Sequence, residues 1–204
     1  MPGYPFPTDP DEVLLTERLR LEPIVAAHAP LLFDLWQDPA VFRYVPQDPP
    51  ESLAWLSERY RKLETRQPPE GDEAWLQWAV RFSAEPTYVG VVEATVVPHG
   101  ASPVAWMFGS AWWRQGLASE AMTRVLAQLA DAWGVADVYV EIDERNVPSL
   151  ALAHRLGFEE FARVEDADHF KGETSHERHL RRQLAPSDVV GPAGAGSGVA
   201  SGGG

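Results

Sequence analysis

The sequence predicts an α/β (α+β) protein with one mixed, mostly antiparallel twisted sheet of about seven strands and about four flanking helices. Short segments of alternating apolar and polar residues predict strands. Some of them follow one another with only a turn between them, and others stand alone between helical segments. Strands joined by short turns pair antiparallel, whereas a helix between two strands makes a crossover and allows parallel pairing. The length of 204 residues, with 45% hydrophobic side chains, suits a single core.

The first half of the chain predicts one strand followed by two helices. Residues 18–23 alternate in the manner of a half-buried strand. The next segment predicts a helix that is broken at Asp38-Pro39, and its apolar face carries Leu31, Leu32, Leu35 and Trp36. Asp48 predicts the N-cap of the second helix, with Pro49 at the first helical position and Glu51 completing a capping box.

The second half predicts a meander and then two helices that alternate with strands. Three strands joined by Pro- and Gly-containing turns cover residues 75–82, 88–97 and 104–108. The later elements are a helix at 117–133, a strand at 138–142, a helix at 148–157, and strands at 158–164 and 177–184. Gly134 and Gly157 are the predicted helix stops. Residues 166–175 are left as a loop that should help to shape a pocket.

Charge and composition exclude several classes of function. A formal charge of -13 argues against nucleic acid as a partner and makes cationic substrates more plausible, although surplus acid also serves solubility. The absence of cysteine excludes disulfides, a thiolate nucleophile and cysteine-ligated zinc. The sequence has neither an apolar run long enough to span a membrane nor the pattern of a signal peptide. We therefore expect a cytoplasmic protein with no membrane partner.

Three segments make up the predicted domain organisation. Residues 1–15 form an N-terminal extension, residues 16–184 form the folded domain, and residues 185–204 form a tail rich in Gly, Ala and Ser. Asp188 is the only charged residue of that tail, which we expect to be disordered.

The stretch WWRQGLASEA, residues 112–121, places a turn with an arginine and a glycine directly before an amphipathic helix. The first N–H groups of a helix lack intrahelical partners, and the helix dipole favours an anion there. Gly116 would let a phosphate approach the backbone, and Arg114 could add charge. The alternative is an ordinary strand-to-helix connection in which the glycine only eases the turn.

Four ordered motifs give this pattern a family resemblance. They are TERLRLEPI, WQDPAVFRYV, WMFGSAWWRQGLASEAM and ERNVPSLALAHRLGFEE, and the resemblance that they carry extends over residues 16–184. They resemble the GNAT superfamily of acyl-CoA-dependent N-acyltransferases, in particular the branch of ribosomal-protein N-terminal acetyltransferases. The resemblance implies transfer of an acetyl group from acetyl-CoA to a primary amine, without a metal, by a monomer or homodimer. The amine would be a protein N-terminus, an amino acid or another small amine. The alternative is a non-catalytic module that binds acyl-CoA or a peptide.

The resemblance also assigns the residues that contact the co-substrate. The pyrophosphate would lie on the turn and the first residues of the helix, namely Arg114, Gln115, Gly116, Leu117, Ala118 and Ser119. The pantetheine arm would run along the preceding strand as an added strand, at Trp106, Phe108 and Gly109. Gly109 could instead be an ordinary loop glycine. Asn146 would contact the co-substrate or simply cap the helix that follows it.

The catalytic residues are also taken from the resemblance. Many members of the family carry a tyrosine acid where this chain has Ala153, and Ser149 matches the acid of the ribosomal-protein branch. Asp168 is the expected base, with His169 as its neighbouring rival and Glu93 as a further candidate.

A metal site at His176, Glu177 and His179 is the alternative use of these polar residues. It is not favoured, because residues three apart on a strand point to opposite faces.

Overall fold

The computed structural model describes residues 6–186 and contains eight strands and four α-helices in that range. The strands are β1 (Leu14–Leu15), β2 (Leu19–Pro23), β3 (Ala74–Phe82), β4 (Tyr88–Val96), β5 (Ser102–Phe108), β6 (Asp137–Asp143), β7 (Glu159–Phe170) and β8 (Glu173–Gln183). The helices are α1 (Ala29–Leu32), α2 (Leu53–Leu63), α3 (Leu117–Asp131) and α4 (Val147–Arg155), with short 3₁₀ turns at Ala26–His28, Leu35–Gln37 and Ser110–Trp112. Most of the predicted tail lies outside the described residues.

All strands form one sheet in the order β1-β2-β3-β4-β5-β6-β8-β7. Every neighbouring pair is antiparallel except β5 and β6, which are parallel and are connected through α3. The predicted mixed fold is therefore confirmed, with one strand more than expected. The additional strand, β1, pairs with β2 and lies inside the predicted N-terminal extension. Its two residues are too few to show an alternating pattern.

The start of the second helix differs from the prediction. α2 begins at Leu53, and the Ser52 hydroxyl caps it by accepting a hydrogen bond from the N–H of Trp55 at 3.1 Å. Asp48 and Pro49 stay outside the helix because Pro50 disfavours helical backbone in the residue before it. The first predicted helix is reduced to α1 and its flanking 3₁₀ turns, so Leu32 and Trp36 are buried while Leu31 is 54% exposed.

The predicted loop at 166–175 is wrong, because β7 and β8 form a long hairpin there. Its two-residue turn, Lys171-Gly172, has φ angles of 54° and 78°, as a tight hairpin requires. Strand β7 is polar and exposed along most of its length, so the alternation that reveals a half-buried strand is missing. A register shift lies between Val164 and Asp168.

Helices cover the two faces of the sheet unequally. α3 and α4 pack on one face over the larger core, which includes the fully buried Leu129 and the almost fully buried Phe158. The smaller core lies on the opposite face, where α1 and α2 bury Leu32, Leu56 and Tyr60 against the sheet. Among the described residues, no helix is long and apolar enough to cross a membrane.

Candidate active site

The sheet opens between its two parallel strands. β5 and β6 pair only at Ser102 with Val138 and at Pro103 with Tyr139, although both strands continue for several residues. Their carboxyl ends therefore diverge and leave a gap in the middle of the sheet. Antiparallel strands alternate between residues that bond to the neighbour and residues that do not. Because the N–H of Gly109 donates to the carbonyl of Val89, the backbone groups of Trp106 and Phe108 face the gap.

This free strand edge is what an extended ligand needs in order to add itself as a strand. Trp106 and Phe108, both predicted from the sequence, supply it. The amide of Gly109, by contrast, is engaged by Val89 at 3.0 Å and is not available to a ligand. Gly109 has a packing role instead, because a Cβ atom at this position would lie 2.1 Å from Cδ1 of Leu35.

The beginning of α3 presents open backbone donors beside this gap. Gly116 is the N-cap, with a φ of 76°, and no side chain caps the helix. The first intrahelical bond runs from the N–H of Glu120 to the carbonyl of Gly116, so the amides of Leu117, Ala118 and Ser119 lack helical partners. The backbone of Arg114 is also left-handed, with a φ of 61°, and its side chain is exposed. The predicted phosphate turn thus has the geometry of an anion site.

Two residues that the sequence analysis missed fix this turn in place. Arg18 donates from Nε to the Glu120 carboxylate at 2.6 Å and from Nη1 to the carbonyl of Gln115 at 3.1 Å. Burial alone would raise the pKa of Glu120, but hydrogen bonds from Thr16 and Arg18 outweigh it and lower the pKa. The separation of Arg18 and Glu120 by 102 residues hides the pair from any local pattern.

On the other side of the gap, the structure brings two predicted residues together. The indole Nε1 of Trp106 donates to Oγ of Ser149 at 3.1 Å. Asn146 caps α4, since its Oδ1 accepts from the N–H of Ser149 at 3.3 Å. The carbonyl of Phe108 accepts from the indole of Trp113 at 2.7 Å. Ala153, where the resemblance implies a tyrosine in many members of the family, is fully buried.

The opposite face of the sheet carries an enclosed carboxylate at Glu93. This residue lies on β4 opposite Ala105, within electrostatic reach of Arg59 and Tyr60 of α2. It is half-buried, and within residues 6–186 it accepts no hydrogen bond. Loss of water raises the pKa of Glu93, and the charge of Arg59 opposes this only in part. Its neighbour Tyr60 has a pKa raised to about 12 by burial, and its hydroxyl accepts from Trp36 at 2.9 Å.

Asp168 lies on β7 rather than in the expected loop. It is exposed and pairs with Ser175, and its carboxylate accepts from the N–H of His169 at 2.7 Å. Among the described residues, no contact joins Asp168 to Ser149, Trp106 or Glu93. The hairpin that carries it is anchored at its tip, where Lys171 donates to the carbonyl of Val45 at 2.7 Å. This contact ties the tip of the hairpin to the segment between α1 and α2.

The polar residues of β8 have other neighbours than the metal site of His176, Glu177 and His179 would require. His179 lies with Glu177 and Glu141, whose carboxylates are 3.1 and 3.8 Å from its Nε2 and Nδ1. Atoms of all three lie within 4.8 Å of one another, a spacing that could hold a metal ion. Each imidazole nitrogen already faces a carboxylate, however, so direct contact between these three side chains accounts for the arrangement without a metal ion. Glu141 was missed because it comes from β6.

Comparison with known proteins agrees with this geometry. Residues 18–159 match the family described as "Acetyltransferase (GNAT) domain". The chain belongs to the GNAT acetyltransferase family. It is therefore an acyltransferase, in a family that uses acetyl-CoA. One similar protein, named "Uncharacterized N-acetyltransferase p20", comes from Bacillus licheniformis and is 23% identical over 163 residues, which are 79% of this chain and 90% of that protein.

Solved structures share the fold at low sequence identity. RimJ of Mycobacterium smegmatis in complex with CoA-disulfide has a TM-score of 0.73 and 14% identity, over 85% of this chain and 88% of that one. Spermidine N-acetyltransferase of Vibrio cholerae in complex with CoA and spermine has a TM-score of 0.70 and 16% identity, over 83% of this chain and 97% of that one. The predicted GNAT membership is confirmed, and ribosomal-protein acetyltransferases are among the structural neighbours.

Proposed function

We propose that this protein transfers an acetyl group from acetyl-CoA to a primary amine, by direct attack of the amine in a ternary complex. The observation that carries the proposal is the gap between β5 and β6, which ends beside the uncapped start of α3. An extended ligand with a phosphate-bearing end fits this combination of a free strand edge and open amides. The acceptor would be a protein N-terminus or a small amine such as an amino acid.

The residues predicted for the co-substrate divide between these two features. The open amides and the exposed turn would bind the pyrophosphate, through Arg114, Gln115, Gly116, Leu117, Ala118 and Ser119. The backbone carbonyl of Trp106 and one N–H, of Trp106 or of Phe108, would hold the pantetheine arm in the gap, since the carbonyl of Phe108 already accepts from Trp113. The oxygen of Asn146 is used by the helix cap, which leaves its amide nitrogen for the co-substrate. Acetyl-CoA supplies the thioester that the amine attacks.

The acceptor must lose a proton before it can attack. At pH 7 this costs about 1 kcal/mol for an α-amine and about 4.6 kcal/mol for a lysine side chain. Glu93 suits the role of base better than Asp168 does. Its carboxylate is enclosed, and its raised pKa brings it nearer to the working pH. Asp168 is exposed and already accepts a hydrogen bond.

Ser149 is the proposed acid for the leaving thiolate. Its oxygen accepts the Trp106 indole N–H, which leaves its own proton free to be donated. The corresponding thiol has a pKa near 8.5, so the thiolate is a fair leaving group even without protonation, and the contribution of Ser149 is modest. Of the two amides that face the gap, at Trp106 and Phe108, one would donate to the oxyanion of the tetrahedral intermediate while the other holds the pantetheine arm.

The second candidate function is a module that binds acyl-CoA or a peptide without turnover. The residue that favours it is Ala153, which cannot act as an acid and stands where many relatives in this family carry a tyrosine.

Release of free CoA thiol separates the two functions. The assay would follow thiol release from acetyl-CoA with N-terminal peptides, amino acids and small amines as acceptors. The chain has no cysteine and adds no background to a thiol reagent. Amine-dependent release supports the enzyme. If acetyl-CoA raises the melting temperature but no amine gives release, the binding module is the better account.

A further inference from the structure

A groove extends from the phosphate turn along the outward face of α3. It is shallow and open to solvent, with a volume of about 600 Å³. Its floor follows one face of the helix from Gly116 through Ser119 and Thr123 to Ala127. Leu15 and Thr16 line the groove near Glu120, and Arg155 reaches it from the end of α4. At 1.5 Å per residue, the floor is roughly 16 Å long, so it reaches well beyond the pyrophosphate site.

The positive charges of this acidic protein are almost all neutralised or engaged. The chain has 17 Lys and Arg residues, and all of them fall within the described residues. Fourteen make an ion pair, a hydrogen bond or a contact with an aromatic ring. Within residues 6–186, the three that make none of these are Lys62, Arg114 and Arg155. Lys62 lies on α2, whereas Arg114 precedes Gly116 and Arg155 lines the groove.

The other charges of the groove are already satisfied. Glu120 is paired with Arg18 at 2.6 Å, which reduces its repulsion of an anion. Arg124 donates to the side-chain oxygen of Gln128 at 3.0 Å and lies 4.0 Å from Glu12. Within residues 6–186, Arg155 is therefore the cation of the groove that has no protein partner, and it lies on α4, apart from the turn that carries Arg114.

Two separated cations with open guanidinium groups suit a ligand with two separated phosphate sites. Coenzyme A has this form, because its pyrophosphate and the phosphate on its ribose 3′-oxygen lie on opposite sides of the ribose. We propose that Arg155 binds the 3′-phosphate of the co-substrate, and that the hydroxyls of Ser119 and Thr123 line the nucleoside between the two phosphates. This inference rests on the proposed function, which places the pyrophosphate on the turn. An arginine fork matches a phosphate in geometry as well as in charge.

Binding of CoA and of 3′-dephospho-CoA tests the proposal without any assay of activity. Isothermal titration would give the Kd of both ligands for the wild type and for Arg155→Gln, Arg155→Lys, Arg114→Gln and Lys62→Gln. We expect the wild type to bind CoA roughly tenfold more tightly than dephospho-CoA, and Arg155→Gln to bind the two equally. Arg155→Lys should restore part of the preference, since it keeps the charge but loses the fork.

The two remaining variants are matched controls for charge. Lys62→Gln removes an equally unpaired cation far from the groove, and it should leave both Kd values unchanged. Arg114→Gln should weaken both ligands by a similar factor and preserve the preference. Equal wild-type affinities, or a preference that survives Arg155→Gln, would overturn the role of Arg155 while leaving the proposed function intact. Failure of the wild type to bind either ligand would overturn both.

Discussion

The two sides of the gap between β5 and β6 are built in different ways. On the α3 side, one continuous segment supplies the turn, the open amides and the strand edge, and most of its contacts are made by the backbone. On the α1 and α2 side, the candidate groups are side chains from separate strands, such as Glu93 on β4 and Asp168 on β7. A site of backbone groups leaves a compact motif in the sequence. A site of scattered side chains does not, so the co-substrate is easier to recognise than the acceptor.

Replacing Glu93 with Gln should have the largest effect of all on the reaction rate, and this effect should be confined to the acceptor side. Loss of the general base should lower kcat by roughly 10²- to 10⁴-fold, while the Kd of CoA stays unchanged. In the wild type, the rate should fall as the pH drops through the raised pKa of Glu93, because the protonated carboxyl cannot accept a proton. Asp168→Asn is the matched comparison. A larger loss of kcat in Asp168→Asn than in Glu93→Gln would reverse our assignment of the base.

Replacing Gly109 with Ala tests whether this glycine serves packing. The new methyl group would meet Leu35 at 2.1 Å, and overpacking of this kind costs about 1 to 3 kcal/mol of unfolding free energy. Urea denaturation measures the loss. The double variant Gly109→Ala with Leu35→Ala should recover part of the stability of Gly109→Ala. If the losses of unfolding free energy from the two single substitutions simply add in the double variant, the clash with Leu35 does not cause the loss in Gly109→Ala.

Replacing Ser149 with Ala should have a modest effect on chemistry. We expect a loss of kcat of roughly tenfold or less, since the CoA thiolate is a fair leaving group. The test is the dependence on leaving group: a thioester whose thiol has a lower pKa should narrow the difference between Ser149→Ala and the wild type. A constant difference across thioesters would remove Ser149 from the role of acid.

Replacing Glu120 with Gln, on the α3 side, should have the smallest effect, which is a small loss of unfolding free energy. The lowered pKa of Glu120 means that its charged form contributes stability above its unfolded pKa near 4.5, and that this contribution is lost as the pH falls through the folded value. Arg18 is half exposed, so at neutral pH the loss should be no more than about 1 kcal/mol. Thermal unfolding at several pH values measures it. A variant as stable as the wild type at pH 7 would show that the pair with Arg18 contributes nothing.

The same contrast explains how much the sequence could predict. The three-strand meander, α3 and the turn at Gly116 were predictable because local alternation, helical periodicity and glycine chemistry all point the same way. Trp106 and Ser149 were each named from the family resemblance, but the hydrogen bond that joins them is read from the structure alone. The start of α2 was misplaced because the capping pattern at Asp48 and Pro49 was taken at face value. It left out that Pro50 disfavours helical backbone at Pro49.

Three other features left no local signal. β7 is a strand because it pairs with β8, and its exposed polar residues look like a loop. The hold of Arg18 and Glu120 on the phosphate turn joins segments 102 residues apart. The surroundings of Glu93 likewise include Arg59 and Tyr60 of α2, which come near it only in the folded chain. Tertiary contacts of this kind are read from the structure alone.

Amide hydrogen exchange, with and without CoA, tests the central claim most directly. The account predicts new protection at the amides of Leu117, Ala118 and Ser119 and along the β5 edge at Trp106 and Phe108. The amides of the Lys171-Gly172 turn should exchange at the same rate in both samples. Protection at the hairpin turn, with no change at the start of α3 or on β5, would contradict the placement of the co-substrate in the gap.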